Sequence, residues 1–355
     1  MTHSSVAAIP TITIGLDVGD RFSHYCELDE AGVVVAEGRM QTTGVVLRRH
    51  FASCARSRVV LEVGTHSPWM SRLLEELGHE VIVANARRVR MIYSNDSKSD
   101  RVDAEMLARV GRMDVRLLHP IRHRGPEVQT DLALLRSREC LVRARTQLIN
   151  HVRGATKSIG ARISSCSTPA FARRAHEEIP DVLRPALEPL IELIAVLTQQ
   201  IRSAEREIER HCEERYPETR RLRQIHGVGP ITSLCYVLTL EDPARFKSGR
   251  SVGAYLGLRP RQRDSGDRTP QLRITKRGDA MLRRLLVNSA QYILGPFGPD
   301  CDLRRWGIAL AERGGANAKK RAVVAVAHKL AQVLYALWVT GADYEPVRTP
   351  EQAAA

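Results

Sequence analysis

An α/β domain followed by a largely helical half is the fold class this sequence predicts. Three observations carry it. Short strand-like apolar runs alternate with turns and one amphipathic stretch over the first 85 residues. Leucine and isoleucine then recur at helical spacing between 134 and 208, and a glycine- and arginine-rich segment closes on a broad apolar helix. The 355 residues are 43% hydrophobic, ample for buried cores and suited to two or three domains. The boundaries read from these shifts are 1–125, 126–218 and 219–343, with 344–355 as a disordered tail.

Taken in order, Thr11 to Val18 (TITIGLDV) is the first strand and carries an acid near its C-terminal end. The turn Asp29-Glu30-Ala31-Gly32 separates two further runs, Ser23 to Leu28 and Val33 to Gly38, as a hairpin would. Val59 to Val63 reads as a buried strand, Pro68 to Leu77 as an amphipathic helix and Glu80 to Ala84 as another strand. Strand, hairpin, strand, helix, strand is how a ribonuclease-H-like α/β domain begins. In the middle, Leu134, Leu141 and Leu148 repeat at seven, as do Leu135, Val142 and Ile149. Leu187, Leu190, Ile194, Leu197, Ile201, Ala204 and Ile208 then follow alternating steps of three and four, a coiled-coil seam. These are two long helices, paired with each other or with another subunit, and Thr168 to Pro185 with its three prolines contains the reversal. Beyond 219, Leu222 to Ile225 and Ile231 to Leu240 flank a glycine turn, and Lys319 to Val339 forms the last helix.

Fifty-four Lys and Arg against 40 Asp and Glu give a formal charge of +14, which favours a polyanionic partner such as nucleic acid. Arginine dominates, with Arg87-Arg88, Arg220-Arg221-Leu222-Arg223 and Arg283-Arg284, and guanidinium matches phosphate bidentately. Seven scattered cysteines without a CxxC pair argue against a disulfide framework or a zinc ribbon. Met1 to Pro10 lacks the parts of a signal peptide, and no uninterrupted apolar run reaches spanning length. The expectation is a cytoplasmic, nucleoid-associated protein with no membrane partner.

Four acids stand out as candidate ligands: Asp17, Glu62, Asp100 and Asp103. Asp17 and Glu62 sit on predicted strands among apolar neighbours, where an unpaired carboxylate is costly. Asp100 and Asp103, three apart, share one face of a helix start. Together they could bind two hard cations, Mg²⁺ being the expected ion, and two metals about 4 Å apart clamp the attacking and leaving oxygens of a phosphodiester. Lys98 and Arg101 flank this set as nucleic-acid contacts. Asp17-Val18-Gly19 also resembles the phosphate loop of actin-like sugar kinases, but no second glycine-rich phosphate motif or adenosine motif follows it.

In the C-terminal half, Ile225-His226-Gly227-Val228-Gly229-Pro230-Ile231 has the form of a helix-hairpin-helix turn. Gly227 and Gly229 would let backbone N–H groups approach a phosphate at a helix start. Ser265 lies in a glycine-containing loop, with Arg259, Arg261 and Arg263 before it and Lys276 and Arg277 after it. A serine attacking phosphate needs such cations around its transition state. A surface turn serine in a basic loop is the plainer reading of Ser265 alone. Ser248 and Ser251 are fallback candidates.

With these residues in hand, the chain resembles the insertion sequence 110 family of transposases, also called DEDD transposases, over most of its length. Asp17 in Gly-Leu-Asp-Val, Glu62 in Leu-Glu-Val and the run Asp100-Arg101-Val102-Asp103-Ala104 are similar to that family's RuvC-like DEDD site. Gly227-Val228-Gly229-Pro230, Tyr255-Leu256-Gly257-Leu258 and the stretch from Ser265-Gly266 to Lys276-Arg277-Gly278 resemble its C-terminal transposase domain. Ser99 stands where the family run commonly has Thr. The resemblance implies a recombinase that excises and inserts a mobile element, guided by a structured RNA from the element's non-coding end. It implies that Asp17, Glu62, Asp100 and Asp103 are metal ligands and that Ser265 is a covalent nucleophile in a composite site. It also implies a homo-oligomer, dimer or tetramer, joined by the long helices and acting on element ends and target DNA. Two other readings stay open: a RuvC-like Mg²⁺-dependent nuclease or junction resolvase using water, and a non-catalytic nucleic-acid-binding scaffold.

Overall fold

A computed structural model describes residues 10–85, 99–263 and 272–347. The chain divides into two compact units, one ending at Arg124 and the other beginning at Gly125.

The first unit is a five-stranded sheet in the order β3-β2-β1-β4-β5. Its strands are β1 (Thr13–Val18), β2 (Phe22–Leu28), β3 (Val34–Gln41), β4 (Arg58–Glu62) and β5 (Glu80–Ala84). β1 and β3 flank β2 antiparallel, whereas β1, β4 and β5 are parallel neighbours. This order and mix of directions are consistent with a RuvC-like domain. The hairpin falls where the turn signal put it, with Asp29 Oδ1 accepting from Val33 N at 2.8 Å. Sequence reading missed one helix, α1 (Gly44–Ala52), N-capped by Thr43. Its run holds two adjacent valines and two arginines, and only Leu47 and Phe51, four apart, are buried. That is a faint helical signal, yet parallel pairing of β1 with β4 requires a crossover there.

Between β4 and β5 lies α2 (Ser67–Glu76), and after β5 comes α3 (Asp100–Met113), N-capped by Ser99 Oγ. Period-two alternation sorts the sheet into two faces. Ile14, Leu16, Val59, Leu61 and Val83 pack with Leu47, Phe51, Met70 and Leu74 of α1 and α2. On the other face, Cys26, Leu28, Val60 and Ala84 meet Ala104, Leu107, Ala108 and Val110 of α3. Arg58, 7% exposed, pairs with Glu80 at 3.0 Å and donates to Gly111 O at 3.1 Å, tying α3 to β4 and β5.

The second unit, among its described residues, is helical apart from one isolated β-bridge. Its long pair, α4 (Pro126–Ser158) and α6 (Arg184–Glu214), encloses the short α5 (Phe171–Glu178). The pair runs antiparallel within one chain: Asp131 meets Arg215, Arg138 meets Glu205, and Arg145 meets Thr198. The buried row of α6 is Leu187, Ile191, Ile194, Thr198, Ile201, Ile208 and Cys212, so Leu190, Leu197 and Ala204 of the expected seam sit at its margin. Thr198 explains the shift. Its hydroxyl donates to Ile194 O at 2.8 Å and accepts from Arg145 at 3.3 Å, which lets a polar residue hold a core position.

Among the described residues, five further helices follow the single turn α7 (Thr219–Leu222). They are α8 (Pro230–Leu240), α9 (Gly249–Tyr255), α10 (Ala280–Leu294), α11 (Asp302–Glu312) and α12 (Ala318–Thr340). α12 is long and apolar enough to cross a membrane, a property the interrupted run concealed in the sequence. Its Val326, Ala327, Leu330, Ala331 and Leu334 are instead core, and the hydroxyl of buried Tyr236 donates to Ala331 O at 2.7 Å. Past α12 the chain stays tied, with Tyr344 N donating to Gln224 Oε1 and Asp302 N to Pro346 O.

Candidate functional site

The four acids enter the first unit from three elements. Asp17 lies near the end of β1, Glu62 ends β4, and Asp100 and Asp103 form the first turn of α3. Alternation puts Asp17 on the same face as Thr13 and Gly15, and Glu62 on that of Val60, the face α3 covers. Glycine sets the depth of that packing. A Cβ on Gly15 would lie 1.9 Å from Ala104 O, and one on Gly111 would lie 2.3 Å from Val60 Cγ2. The helix therefore rests directly on β1 and β4 at these points, which brings its acidic start to the strand ends.

The electrostatics follow from that crowding. The carboxyl of Asp17 is pushed up to about 6, first by burial and then by the negative charges of Asp100, Asp103 and Glu62. His24 alone pulls it the other way. In the β1–β2 register His24 stands directly opposite Asp17. Its Nδ1 is 3.6 Å from Asp100 Oδ2, and donor atoms of Asp17, His24 and Asp100 all lie within 4.8 Å of one another. Sequence reasoning missed His24. The available signal was the short turn between two alternating strands, from which counting back pairs residue 24 with residue 17.

Carboxylates clustered closely enough to raise the proton affinity of Asp17 are a donor set suited to a hard divalent cation, which would offset the repulsion and the burial together. The residues present therefore fit such an ion. Arg101, expected to touch nucleic acid, forks onto Glu37 of β3, with Nη2 to Oε1 and Nε to Oε2 both at 2.8 Å, and its side chain stays exposed. Lys98 lies outside the described residues.

In the second unit Gly227 takes φ +89°, and a Cβ there would lie 2.9 Å from the ring of Tyr292. Gly229 is the N-cap of α8, with Pro230 at the first helical position and open space at its Cα. The basic residues around Ser265 flank two paired arms. Arg261 N donates to Arg273 O at 3.0 Å, Thr275 N to Arg259 O at 2.9 Å, and Lys276 N to Gly257 O at 3.1 Å. Arg259, Arg261, Arg263, Lys276 and Arg277 are all exposed, and so is Arg273, which sequence reasoning did not single out. Ser265 lies outside the described residues. Ser248 and Ser251 are engaged in capping α9, where the Ser251 hydroxyl accepts from Ser248 N and donates to Ser248 O.

Comparison with known proteins bears on both units. Residues 14–160 match the IS110-type DEDD family, described as "Transposase", and residues 219–300 match the "Transposase IS116/IS110/IS902 family". The chain is 31% identical to the "Transposase for insertion sequence element IS1111A" of Coxiella burnetii, covering 91% of this chain and 88% of that one. It is 31% identical to a "Probable family 20 transposase" of Pseudomonas aeruginosa, covering 94% and 98%. The "Transposase for insertion sequence element IS1328" of Yersinia enterocolitica is also 31% identical, over 80% of this chain and 84% of its own.

Proposed function

Because this chain belongs to the IS110/IS116/IS902 family of transposases, we propose that it cleaves and exchanges DNA strands with a carboxylate-held Mg²⁺ site and a covalent serine. The observation that carries this reading is the raised proton affinity of Asp17, caused by burial and by Asp100, Asp103 and Glu62. Asp100 shares a close donor set with Asp17, while Asp103 and Glu62 lie near enough to act on its charge, and membership of the DEDD family supports divalent-metal use. Asp17, Glu62, Asp100 and Asp103 hold the cations, two by our reading. When bound, they lower the pKa of the attacking oxygen and stabilise charge on the leaving one.

Ser265 is the proposed nucleophile. Its oxygen forms a bond to phosphorus as one bridging P–O bond breaks, and the serine proton passes to solvent while the departing oxygen takes one up. Attack by a second DNA hydroxyl on the serine–phosphate bond then restores the serine and joins the new strand. Arg259, Arg261, Arg263, Lys276 and Arg277 neutralise the extra charge of the pentavalent transition state. Gly227 and Gly229 open the start of α8 to a DNA phosphate in helix-hairpin-helix fashion. A structured RNA from the element guides target choice, and α4 with α6 joins subunits into a dimer or tetramer by coiled-coil packing. Leu193 and Val196, exposed on α6, support that last point. Bacterial cytoplasm, at the nucleoid, is the expected location.

The test is covalent capture. Full-length protein, Mg²⁺, labelled element-junction DNA and RNA transcribed from the element's flanks are mixed and run on a denaturing gel. A slow protein–DNA adduct that disappears in Ser265→Ala and in Asp17→Asn is expected. Cleaved DNA without an adduct would replace the serine by water, as in a junction resolvase. Salt-sensitive binding without Mg²⁺-dependent cleavage would reduce the protein to a scaffold.

A further inference from the structure

We propose that His24 is a fifth ligand of the cation site formed by Asp17, Glu62, Asp100 and Asp103, and that it tilts the site towards Mn²⁺ and Co²⁺ over Mg²⁺. The inference rests on the carboxylate reading given above. Three independent features of the first unit lead to it. The β1–β2 register fixes His24 opposite Asp17, on the face of the sheet that α3 covers. Its Nδ1 is buried and has no hydrogen-bond partner among the described residues. It stands 3.6 Å from Asp100 Oδ2, inside a set whose donor atoms all fall within 4.8 Å.

Those distances discriminate between two kinds of contact. A separation of 3.6 Å is too long for a hydrogen bond. It suits two donors that share one ion, since ligands at about 2.1 Å lie roughly 3 Å apart when adjacent and roughly 4.2 Å apart when opposite. Only a small closure brings the donors of Asp17, His24 and Asp100 into that range. A buried nitrogen without a partner is costly, and an ion supplies the partner that the protein does not. Ligation through Nδ1 places the ring proton on Nε2. A nitrogen donor also changes which ion is preferred. Mg²⁺ takes oxygen almost exclusively, whereas later first-row cations accept imidazole, Co²⁺ more strongly than Mn²⁺.

Mn²⁺ is the probe, and the full-length protein is used without DNA. Electron spin-echo spectroscopy reads nitrogen coupled to the bound ion, and competition titration gives Mn²⁺ and Mg²⁺ affinities for each variant. The wild type is expected to show one directly coordinated nitrogen. His24→Ala is expected to lose that coupling and to bind Mn²⁺ roughly tenfold or more weakly, with Mg²⁺ affinity changed less than about threefold. His24→Gln, close in size and polar, must show the same loss of coupling, and thermal unfolding confirms that both variants fold. His50→Ala is the control, because Glu27, His50 and Cys54 form a second set of close donors on the opposite face. Coupling that survives in His24→Ala, or that disappears in His50→Ala, overturns the assignment. Wild-type Mn²⁺ binding that needs Asp17 but shows no nitrogen leaves the carboxylate site standing and removes His24 from it. Binding indifferent to Asp17→Asn overturns the carboxylate site and this inference with it.

Discussion

Gly15 of β1 and Ala104 of α3 are packed so closely that a Cβ on the glycine would lie 1.9 Å from the alanine's carbonyl oxygen, with Ala108 N 2.6 Å away. No side chain rotates out of such a clash, because both obstacles are backbone. Ala104 follows Asp103 directly, so any displacement of the helix at this point moves two of the four acids away from Asp17. Gly15→Ala is therefore expected to cost about 1–3 kcal/mol of stability by overpacking. Its larger effect falls on function. DNA cleavage should drop more than a comparably destabilising change in the core of the second unit, such as Leu330→Ala. Equal losses of activity at matched stability would show that the contact serves packing alone.

The raised pKa of Asp17 makes a second prediction, with a definite sign. Its folded value, about 6, lies above the ordinary aspartate value of 3.8, so the folded state holds this proton more tightly than the unfolded one. The group's contribution is therefore favourable at low pH and is lost as pH rises through about 6. Metal-free protein should show a falling thermal midpoint across that window once other titrations are subtracted. Asp17→Asn should flatten this component, and stabilisation by Mg²⁺ should be larger at pH 7.5 than at pH 5 in the wild type only. A wild-type midpoint with the same pH dependence as Asp17→Asn would remove the electrostatic account.

The acids of this site were legible because each stands out against its setting: Asp17 and Glu62 on apolar strands, Asp100 and Asp103 after a serine that caps their helix. His24 was not, because a lone histidine in an alternating strand carries no mark, and only the register with Asp17 gives it meaning. The helix Gly44–Ala52 was hidden for a related reason. Its buried residues, Leu47 and Phe51, are too few to build a period, and its place is dictated by the crossover between β3 and β4. Thr198 shows the limit of hydrophobic counting, since Arg145 and Ile194 supply the hydrogen bonds that let it take a seam position.

Asp131, 3% exposed, closes the antiparallel pair of long helices. It accepts from Arg215 Nη1 at 2.6 Å and from the Tyr216 hydroxyl at 2.5 Å, joining the start of α4 to the end of α6. Removing the acid leaves a guanidinium and a phenol without their acceptor. Asp131→Ala should therefore cost about 3 kcal/mol in urea unfolding, near the lower end for a broken buried pair because Arg215 is partly solvated. Tyr216→Phe keeps the ion pair and should cost about 1 kcal/mol. A neutral Asp131→Ala would mean that water replaces both bonds.

The paired arms that flank Ser265 supply the last prediction. Arg259, Arg261 and Arg263 on one arm and Lys276 and Arg277 on the other are exposed, and the arms are held by backbone hydrogen bonds between 257 and 261 on one side and 273 and 276 on the other. Their side chains are thus free to change with little effect on the fold, and Arg261→Ala or Arg263→Ala should shift stability by less than about 0.5 kcal/mol. If each cation meets one phosphate of duplex DNA, each substitution should lower the slope of log affinity against log salt by about 0.9. Arg101→Ala is the informative contrast. Its guanidinium is already forked onto Glu37, so its loss should leave the salt slope nearly unchanged and instead loosen α3 from β3. A salt slope that falls for Arg101→Ala but not for Arg261→Ala would move the phosphate track from the second unit to the first.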